Sequence, residues 1–198
     1  LDQLTVWKPE DPDTRALARF TEIRRHWVDQ ATALVLRWRT ELQAYYPVFL
    51  ELFDGQLDTS IACEFLRRWP NLAALKKARQ DTLRGFFYKH GSRSESKIQQ
   101  RLKLIAEAQP LTEDLGVIAP SQADALIISR LMLTLIGQIA QVQQEITRRF
   151  ALHPDAAIFK SLPGAGAVLA PRLLAAFGTH RSKFQKPEGV QKLSGMAP

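Results

Sequence analysis

Cysteine is nearly absent from this sequence of 198 residues, which contains a single one, Cys63. One thiol cannot form an internal disulfide, so the chain is not one of the small secreted folds held together by disulfides. Its neighbours, residues 61–66, follow an apolar helical pattern. The sequence therefore predicts a buried helical thiol rather than a reactive one.

Long hydrophobic runs are also missing. No stretch approaches the roughly 18 consecutive apolar residues expected of a membrane span. The first residues are broken up by charges, among them Asp2, Lys8 and Glu10, which a secretory signal peptide would not carry. Together with the lack of disulfides, these absences predict a cytoplasmic protein without a membrane partner.

Motifs for metals and nucleotides are lacking. The histidines His26, His90, His153 and His180 are too scattered for a zinc site, and one cysteine adds no ligand set. The glycine pair at 164 and 166 follows a predicted helix and lacks the Lys-Ser/Thr of a P-loop. No metal site, no strand pattern and no internal repeat is predicted.

What the sequence does contain is helical periodicity. Residues 11–13, Asp-Pro-Asp, are typical of a helix start, and Pro47 ends the pattern near Tyr46. The spacing between apolar positions is close to the coiled-coil period of 3.5 residues. The apolar stripe is Phe20, Ile23, Trp27, Ala31, Leu34, Trp38, Leu42 and Tyr45.

A second long helix is predicted from about Pro120-Ser121 to Phe150, with the same spacing. Its stripe is Ile128, Leu131, Leu135, Ile139, Val142, Ile146 and Phe150. Two such helices should pair antiparallel, and the width of both stripes predicts a homo-oligomer, a dimer or a tetramer. Trp27, Trp38 and Trp69 are expected in the core rather than as platforms for bases.

Between the long helices, residues 55–110 form a predicted insert of shorter helices. They run from about Ser60 to Trp69, from Asn71 to His90 and from Ser94 to Ala108. Positive charge is concentrated here, since residues 64–103 contain eleven basic and three acidic side chains. Clustered basic charge fits a polyanion partner, and a solvated helix face fits equally well. The residues that we expect to bind nucleic acid are Lys76, Lys77, Arg79, Arg84, Lys89 and Arg93.

Residues 155–178 have the pattern of a helix-hairpin-helix: a short apolar helix, a Pro-Gly-Ala-Gly turn and a second helix from about Ala167. Gly164 and Gly166 would permit positive φ and a close backbone approach. The start of the second helix would then point free amides at a DNA phosphate. Leu162, Val168, Leu169, Leu173 and Leu174 are expected to hold the two helices together.

The predicted DNA-binding residues of this hairpin are the turn and the basic side chains beside it. They are Lys160, Pro163, Gly164, Ala165, Gly166, Ala167, Arg172, Arg181 and Lys183. Pro171 is tolerable because the first amides of a helix have no intrahelical acceptor. The alternative is a tight turn that connects two helices and binds nothing.

Two segments resemble the DEDD transposases of the IS-one-ten family, which includes the Piv-like recombinases. Residues 161–178 and 190–198 are similar to the start of that family's C-terminal domain. Residues 9–17, the long helix after them and Tyr46-Pro47 are similar to the junction between its RNase-H-like domain and its coiled coil. The resemblance is weak between residues 55 and 120.

The resemblance implies a DNA-cleaving and rejoining enzyme with its catalytic residues outside this chain. Four acidic residues and a divalent metal, Mg²⁺, would lie upstream of Leu1, and a nucleophilic serine downstream of Pro198. Ser194 does not match the nucleophile's position. No catalytic residue and no cofactor is therefore predicted here, and the segment alone is expected to be inactive. Some family members are guided by a structured RNA, which makes RNA a second candidate partner.

The predicted organisation is all-α: a long antiparallel helical hairpin with a helical insert, followed by a truncated helix-hairpin-helix domain. Residues 1–10 would be a linker, 11–152 the coiled-coil domain and 153–198 the start of the C-terminal domain. The predicted function is to bind nucleic acid and assemble protomers for a transposase. One alternative is a structural dimerisation module without nucleic-acid contacts. The other is an enzyme complete in itself.

Overall fold

A computed structural model describes residues 9–180, 184 and 186–193, with the backbone alone for Pro187 and Leu193. Within these residues every regular element is an α-helix, which confirms the predicted fold class. The helices are α1 (Pro12–Tyr45), α2 (Pro47–Leu52), α3 (Ser60–Arg68), α4 (Leu72–Lys76), α5 (Gln80–Lys89), α6 (Glu95–Glu107), α7 (Leu115–Leu152), α8 (Ala156–Lys160), α9 (Leu169–Phe177) and α10 (Pro187–Leu193).

The chain folds as two compact units. The first takes in the residues up to His26 and those from Ile139 onward, and the second comprises Trp27–Gln138. The long helices α1 and α7 each contribute residues to both units. The predicted domain limits, at residues 10 and 152, follow the resemblance to a family rather than the packing of the chain, and they stay a prediction.

Helix α1 starts where the sequence predicts. The Asp11 side chain accepts hydrogen bonds from the backbone amides of Asp13 and Thr14, each at 3.0 Å, and from the Thr14 hydroxyl at 2.6 Å. These bonds satisfy amides that have no acceptor within the helix. At the other end Pro47 occupies the first turn of α2, so α1 stops at Tyr45.

In the first unit α1 and α7 are antiparallel. Thr14 Oγ1 lies 3.0 Å from His153 Nε2, and six residues further along α1 the Phe20 ring lies 4.9 Å from the Arg149 guanidinium. Residue numbers thus rise along one helix and fall along the other, as predicted. The buried core of this unit is Leu17, Ile146, Phe150, Ala156, Phe159, Ala170 and Leu174.

In the second unit aromatic rings form a continuous core. Trp38 lies 5.9 Å from Phe49, Phe49 lies 5.9 Å from Phe65, and Phe65 stacks on Phe87 at 5.7 Å between ring centroids. Aromatic pairs at such distances add about 0.5–1.5 kcal/mol each beyond the burial of their area. This core holds the insert helices together and fixes the positions of their basic residues.

Cys63 lies within this core and is fully buried, as predicted. Burial raises the pKa of its thiol to about 12, so the unreactive thiol form dominates at neutral pH. Trp38 and Trp69 are also core residues. The prediction for Trp27 is wrong, because 42% of its surface is exposed.

Helix α7 differs from the prediction in its start and in one stripe position. It begins at Leu115, five residues before Pro120. Pro120 has no N–H to donate to the Gly116 carbonyl, but Gly116 is exposed, so water can satisfy that carbonyl. Leu131, predicted to be buried, is 49% exposed, and Met132 is fully buried instead. The buried face therefore runs from Ile128 to Met132 in a step of four.

One further difference concerns the insert. The predicted helix from Asn71 to His90 is divided into α4 and α5 by a turn in which the Ala78 amide bonds to the Leu75 carbonyl. The break lets Leu83, Phe86 and Phe87 enter the aromatic core, and such packing outweighs helix propensity. The predicted cap is confirmed, since Asn71 Oδ1 accepts from the Ala74 amide at 2.8 Å.

By length and composition α7 could also cross a membrane, since it contains an 18-residue stretch with a mean hydropathy of 1.6. A single such helix is weak support for a span. Only 22% of the stretch is buried, so much of its apolar surface is uncovered within one chain.

Candidate nucleic-acid interface

The helix-hairpin-helix is present as α8, a turn and α9. The two helices are held together by Ala156, Phe159, Ala170 and Leu174, all buried. Of the residues predicted to hold the helices together, Leu174 is buried and Leu173 packs against this core, whereas Leu162, Val168 and Leu169 are 41%, 38% and 42% exposed. Helix α9 starts at Leu169, two residues later than predicted, and its buried face is offset accordingly.

Gly164 is the position in the turn that requires glycine. Its φ is +76°, in the region that other residues rarely adopt. Gly166 does not have positive φ, and a side chain there would meet no atom within 4 Å. The expectation of positive φ thus holds for Gly164 and is wrong for Gly166. Two short backbone bonds, from Ala165 to the Leu162 carbonyl and from Gly166 to the Gly164 carbonyl, close the turn.

The start of α9 offers backbone donors. Among the described residues, the amides of Ala167, Val168 and Leu169 have no hydrogen-bond acceptor. Pro171 is the third residue of α9, where a missing N–H costs no helical bond. Three free amides at the positive end of a helix can accommodate an anion.

Packing fixes the turn beside α7. Gln143 Nε2 donates to the Ala167 carbonyl at 3.3 Å, and Ala165 packs on the core of the first unit. Pro163 is exposed. The turn is therefore anchored on one side and open on the other.

The basic residues of the hairpin are placed in different ways. The Lys160 ammonium lies 5.7 Å from the centre of the Phe150 ring, which restrains an otherwise exposed side chain. Arg172 is exposed on α9. Arg181 and Lys183 lie outside the described residues.

In the insert, Lys76 and Lys77 close α4, and Arg79 precedes α5. All three side chains are exposed and, within the described part of the chain, have no carboxylate at ion-pair distance. Lys89 and Arg93 are exposed in the same way. These five residues are available for phosphates.

Arg84 is engaged differently from the other predicted residues. Its Nη1 lies 2.6 Å from Glu95 Oε1, and Tyr88 donates to the other oxygen of the same carboxylate at 2.8 Å. Bonds from Gln99 and Tyr88, with Arg84 alongside, lower the pKa of Glu95. The charge of Arg84 is therefore already balanced within the fold.

Arg101 also counts toward the basic charge of the sequence, but its guanidinium packs against core residues. Its guanidinium lies 4.8 Å from the centre of the Phe87 ring and donates to the Leu52 carbonyl and to the Ser92 hydroxyl, each at 2.9 Å. Burial lowers the pKa of this guanidinium, which nevertheless stays charged as arginine does in proteins. Charge counted along the sequence therefore overstates the charge at the surface.

The structure brings together a set of residues that the site prediction missed. Helices α3 and α5 line a cavity of about 290 Å³ with Glu64, Arg67, Arg68, Phe86, Lys89 and His90. The signal in the sequence was the shared spacing, because 64, 67, 68 and 86, 89, 90 are both i, i+3, i+4 sets on one helix face. Only Lys89 was named as a candidate.

A larger cavity, of about 600 Å³, lies in the first unit beside His153, Asp11 and Arg149. His153 Nδ1 accepts from the Asp155 amide at 3.1 Å, so a neutral ring carries its proton on Nε2, facing Thr14. Thr14 in turn donates to Asp11. This chain of bonds connects the start of α1 to the residues that directly follow α7. Among the described residues no group of three His, Cys, Asp or Glu side chains could hold a metal ion.

Similarity to known proteins extends over most of the chain. It is 28% identical over 171 residues to the "Mini-circle putative transposase for IS117" of Streptomyces coelicolor, an alignment that covers 81% of this chain and 40% of that protein. It is 27% identical over 128 residues to the "Insertion element IS900 uncharacterized 42 kDa protein" of Mycobacterium paratuberculosis, which covers 63% of this chain and 31% of that protein.

No family model matches the chain, and no solved structure matches it. The chain spans well under half the length of the two curated relatives. Both relatives are named for insertion elements, and the first is named a putative transposase.

Proposed function

We propose that this chain is the nucleic-acid-binding and protomer-assembly region of an insertion-sequence transposase of the IS-one-ten, DEDD type. The carrying observation is the group of exposed cations in the insert that have no carboxylate at ion-pair distance among the described residues, namely Lys76, Lys77, Arg79, Lys89 and Arg93. Such a surface binds a polyanion by releasing its condensed counterions. Cleavage and rejoining of DNA are proposed for the whole protein.

The hairpin turn would position DNA. Its free amides at the start of α9 suit one phosphate, and they carry no sequence information. Lys160 and Arg172 belong to the two helices that flank the turn and would add sequence-independent attraction. A structured guide RNA is a second partner that the insert could bind by the same chemistry.

Self-assembly is proposed through the second unit. Leu36 of α1 and Ile127 and Leu131 of α7 are 62%, 53% and 49% exposed, although a soluble helix normally turns such residues inward. A second copy of the chain, presenting the same apolar positions, would cover them in a dimer or a tetramer.

The test is the salt dependence of binding to a fluorescent DNA duplex, measured by anisotropy. The variant K76Q/K77Q/R79Q should lower the slope of log K against log salt by up to about 2.7, at about 0.9 for each phosphate contact. The control, R19Q/K103Q/R148Q, removes the same charge from cations already paired with Glu22, Glu107 and Glu145.

The alternative is a structural dimerisation module. It predicts no binding to any duplex at low salt and equal behaviour of the two triple variants. The exposed apolar positions favour this alternative as strongly as they favour assembly within a transposase, so the binding experiment separates the two.

A further inference from the structure

The cavity between α3 and α5 contains a local excess of positive charge. Arg67 and Arg68 lie in the last turn of α3, and Lys89 lies in the last turn of α5. Among the described residues none of the three has a carboxylate at ion-pair distance. The one acid that lines the cavity, Glu64, faces His90, with 3.6 Å between Oε2 and Nε2.

The walls of this cavity are fixed by packing. Phe86 contacts Phe65 at 5.5 Å and Trp69 at 5.3 Å, both edge-on, and so joins the two helices. The His90 ring lies 4.3 Å from the Phe86 ring. The cations thus surround a preformed opening rather than a surface that must rearrange.

The same packing covers most of the aromatic surface on which a nucleobase could stack. His90 covers the Phe86 ring, and the Arg68 guanidinium lies 4.9 Å from the centre of the Trp69 ring, which is 5% exposed. The two aromatic rings that line the opening, Phe86 and His90, are only 5% and 14% exposed, so they leave little face on which a base could stack. An opening of about 290 Å³ with a net positive lining suits an oxyanion with its bound waters.

We propose that this cavity binds one phosphodiester group of a nucleic-acid backbone, independently of base sequence. Lys89 and Arg67 would supply the charge-assisted hydrogen bonds, and Arg68 would stay on Trp69 and contribute its charge. The proposal rests on the proposed nucleic-acid function and adds a defined phosphate site to it. DNA and RNA share this chemistry, so both are tested.

The experiment compares Lys89→Gln with Lys97→Gln, each of which removes one exposed lysine from the second unit. Lys97 lies on α6 and does not line the cavity. Anisotropy is measured with labelled duplex DNA and duplex RNA of random sequence across a range of salt. Lys89→Gln should reduce the DNA salt slope by up to about 0.9, and Lys97→Gln should leave it unchanged. A double variant, R67Q/K89Q, should reduce it about twice as much.

A second measurement follows the His90 ring protons by NMR, assigned with His90→Gln. Addition of either duplex should shift them in the parent protein and in Lys97→Gln, and much less in R67Q/K89Q. A shift with inorganic pyrophosphate but not with a duplex would overturn the proposal in favour of a site for free phosphate.

Two failures are distinguishable. If the parent binds duplexes but the Lys89 and Lys97 variants have equal slopes and His90 does not respond, the cavity is not a phosphate site and the proposed function stands. If the parent binds neither duplex, both proposals fall.

Discussion

Thr179 donates two hydrogen bonds to the carboxylate of Glu10, from its backbone amide at 2.8 Å and from its hydroxyl at 2.5 Å. The residues are 169 positions apart, and both belong to the first unit. Gly178, just before Thr179, has a φ of +67° and leaves no room for a Cβ, which would collide with the same carboxylate. The segment before α1 is therefore fastened to the loop after α9.

Gly178→Ala should destabilise the protein by about 1–3 kcal/mol, since it adds backbone strain to a steric clash. The measurement is urea unfolding. In a Glu10→Ala background the same substitution should cost less, because the clash is gone. Gly137→Ala is the control, since its Cβ meets nothing within 4 Å in the exposed face of α7, and it should be stabilising by about 0.5–1 kcal/mol. Equal effects at the two glycines would contradict the contact.

Gly166→Val should leave the hairpin folded and weaken DNA binding. The new side chain has open space and an ordinary φ, but it would stand between a phosphate and the amides that begin α9. Gly164→Ala should instead destabilise the turn, because of its positive φ. Circular dichroism reports folding and anisotropy reports binding. A folded Gly166→Val protein that binds duplex DNA as tightly as the parent would show that the turn only connects helices.

Leu131→Glu should dissociate the proposed assembly and leave each protomer folded, because the side chain is half exposed. Leu42→Glu should unfold the second unit, since Leu42 is fully buried and an unpaired carboxylate there is costly. Light scattering and circular dichroism distinguish the two results. A parent protein that is monomeric at all concentrations would refute the assembly surface.

Asp11→Ala should lower the free energy of unfolding at neutral pH by about 0.5–2 kcal/mol through loss of the helix cap. Hydrogen bonds from Thr14 lower the pKa of Asp11 below its ordinary 3.8 in the folded protein. The charged form is thus favoured by folding, so its contribution is present above pH 3.8 and is lost as the pH falls through the lowered value. When unfolding is measured from pH 7 to pH 2, the difference in free energy of unfolding between the parent and Asp11→Ala should shrink as the pH falls. Asp11→Asn still caps the helix, so it should retain much of the free energy of unfolding. Because it has no titrating carboxyl, its free energy of unfolding should change less with pH than that of the parent.

Local signals in the sequence predicted the helices well. Asp11, Asn71 and Pro47 act within a few residues of their position, and their effects are the same in most contexts. The apolar periodicity of α1 and α7 predicted that the two helices pair, because burial requires one face of each helix to meet a partner, and the insert between them predicted the antiparallel direction.

Contacts between distant residues could not be predicted in this way. The turn at Ala78 allows Phe86 and Phe87 to pack against Phe65. The positive charge of Arg84 is balanced by Glu95, which lies in another helix. The cavity at Lys89 likewise depends on how α3 lies against α5. Spacing along one helix shows which residues share a face, but not which face of a neighbour they meet.

The first unit consists of two chain segments that lie far apart in the sequence, and this determines the order in which the two units can fold during synthesis. Thr14 and His153, which contact each other there, are 139 positions apart, and the second unit lies wholly between them. At roughly 5–20 residues per second, a ribosome needs about 7–28 s to travel from one to the other. Leu17 has no contact with Ile146 and Phe150 until those residues are synthesised, whereas residues 27–138, which contain the core of the second unit, are complete before then. The second unit can therefore fold first during translation, and the first unit can complete its core only after residues 139 onward have been synthesised.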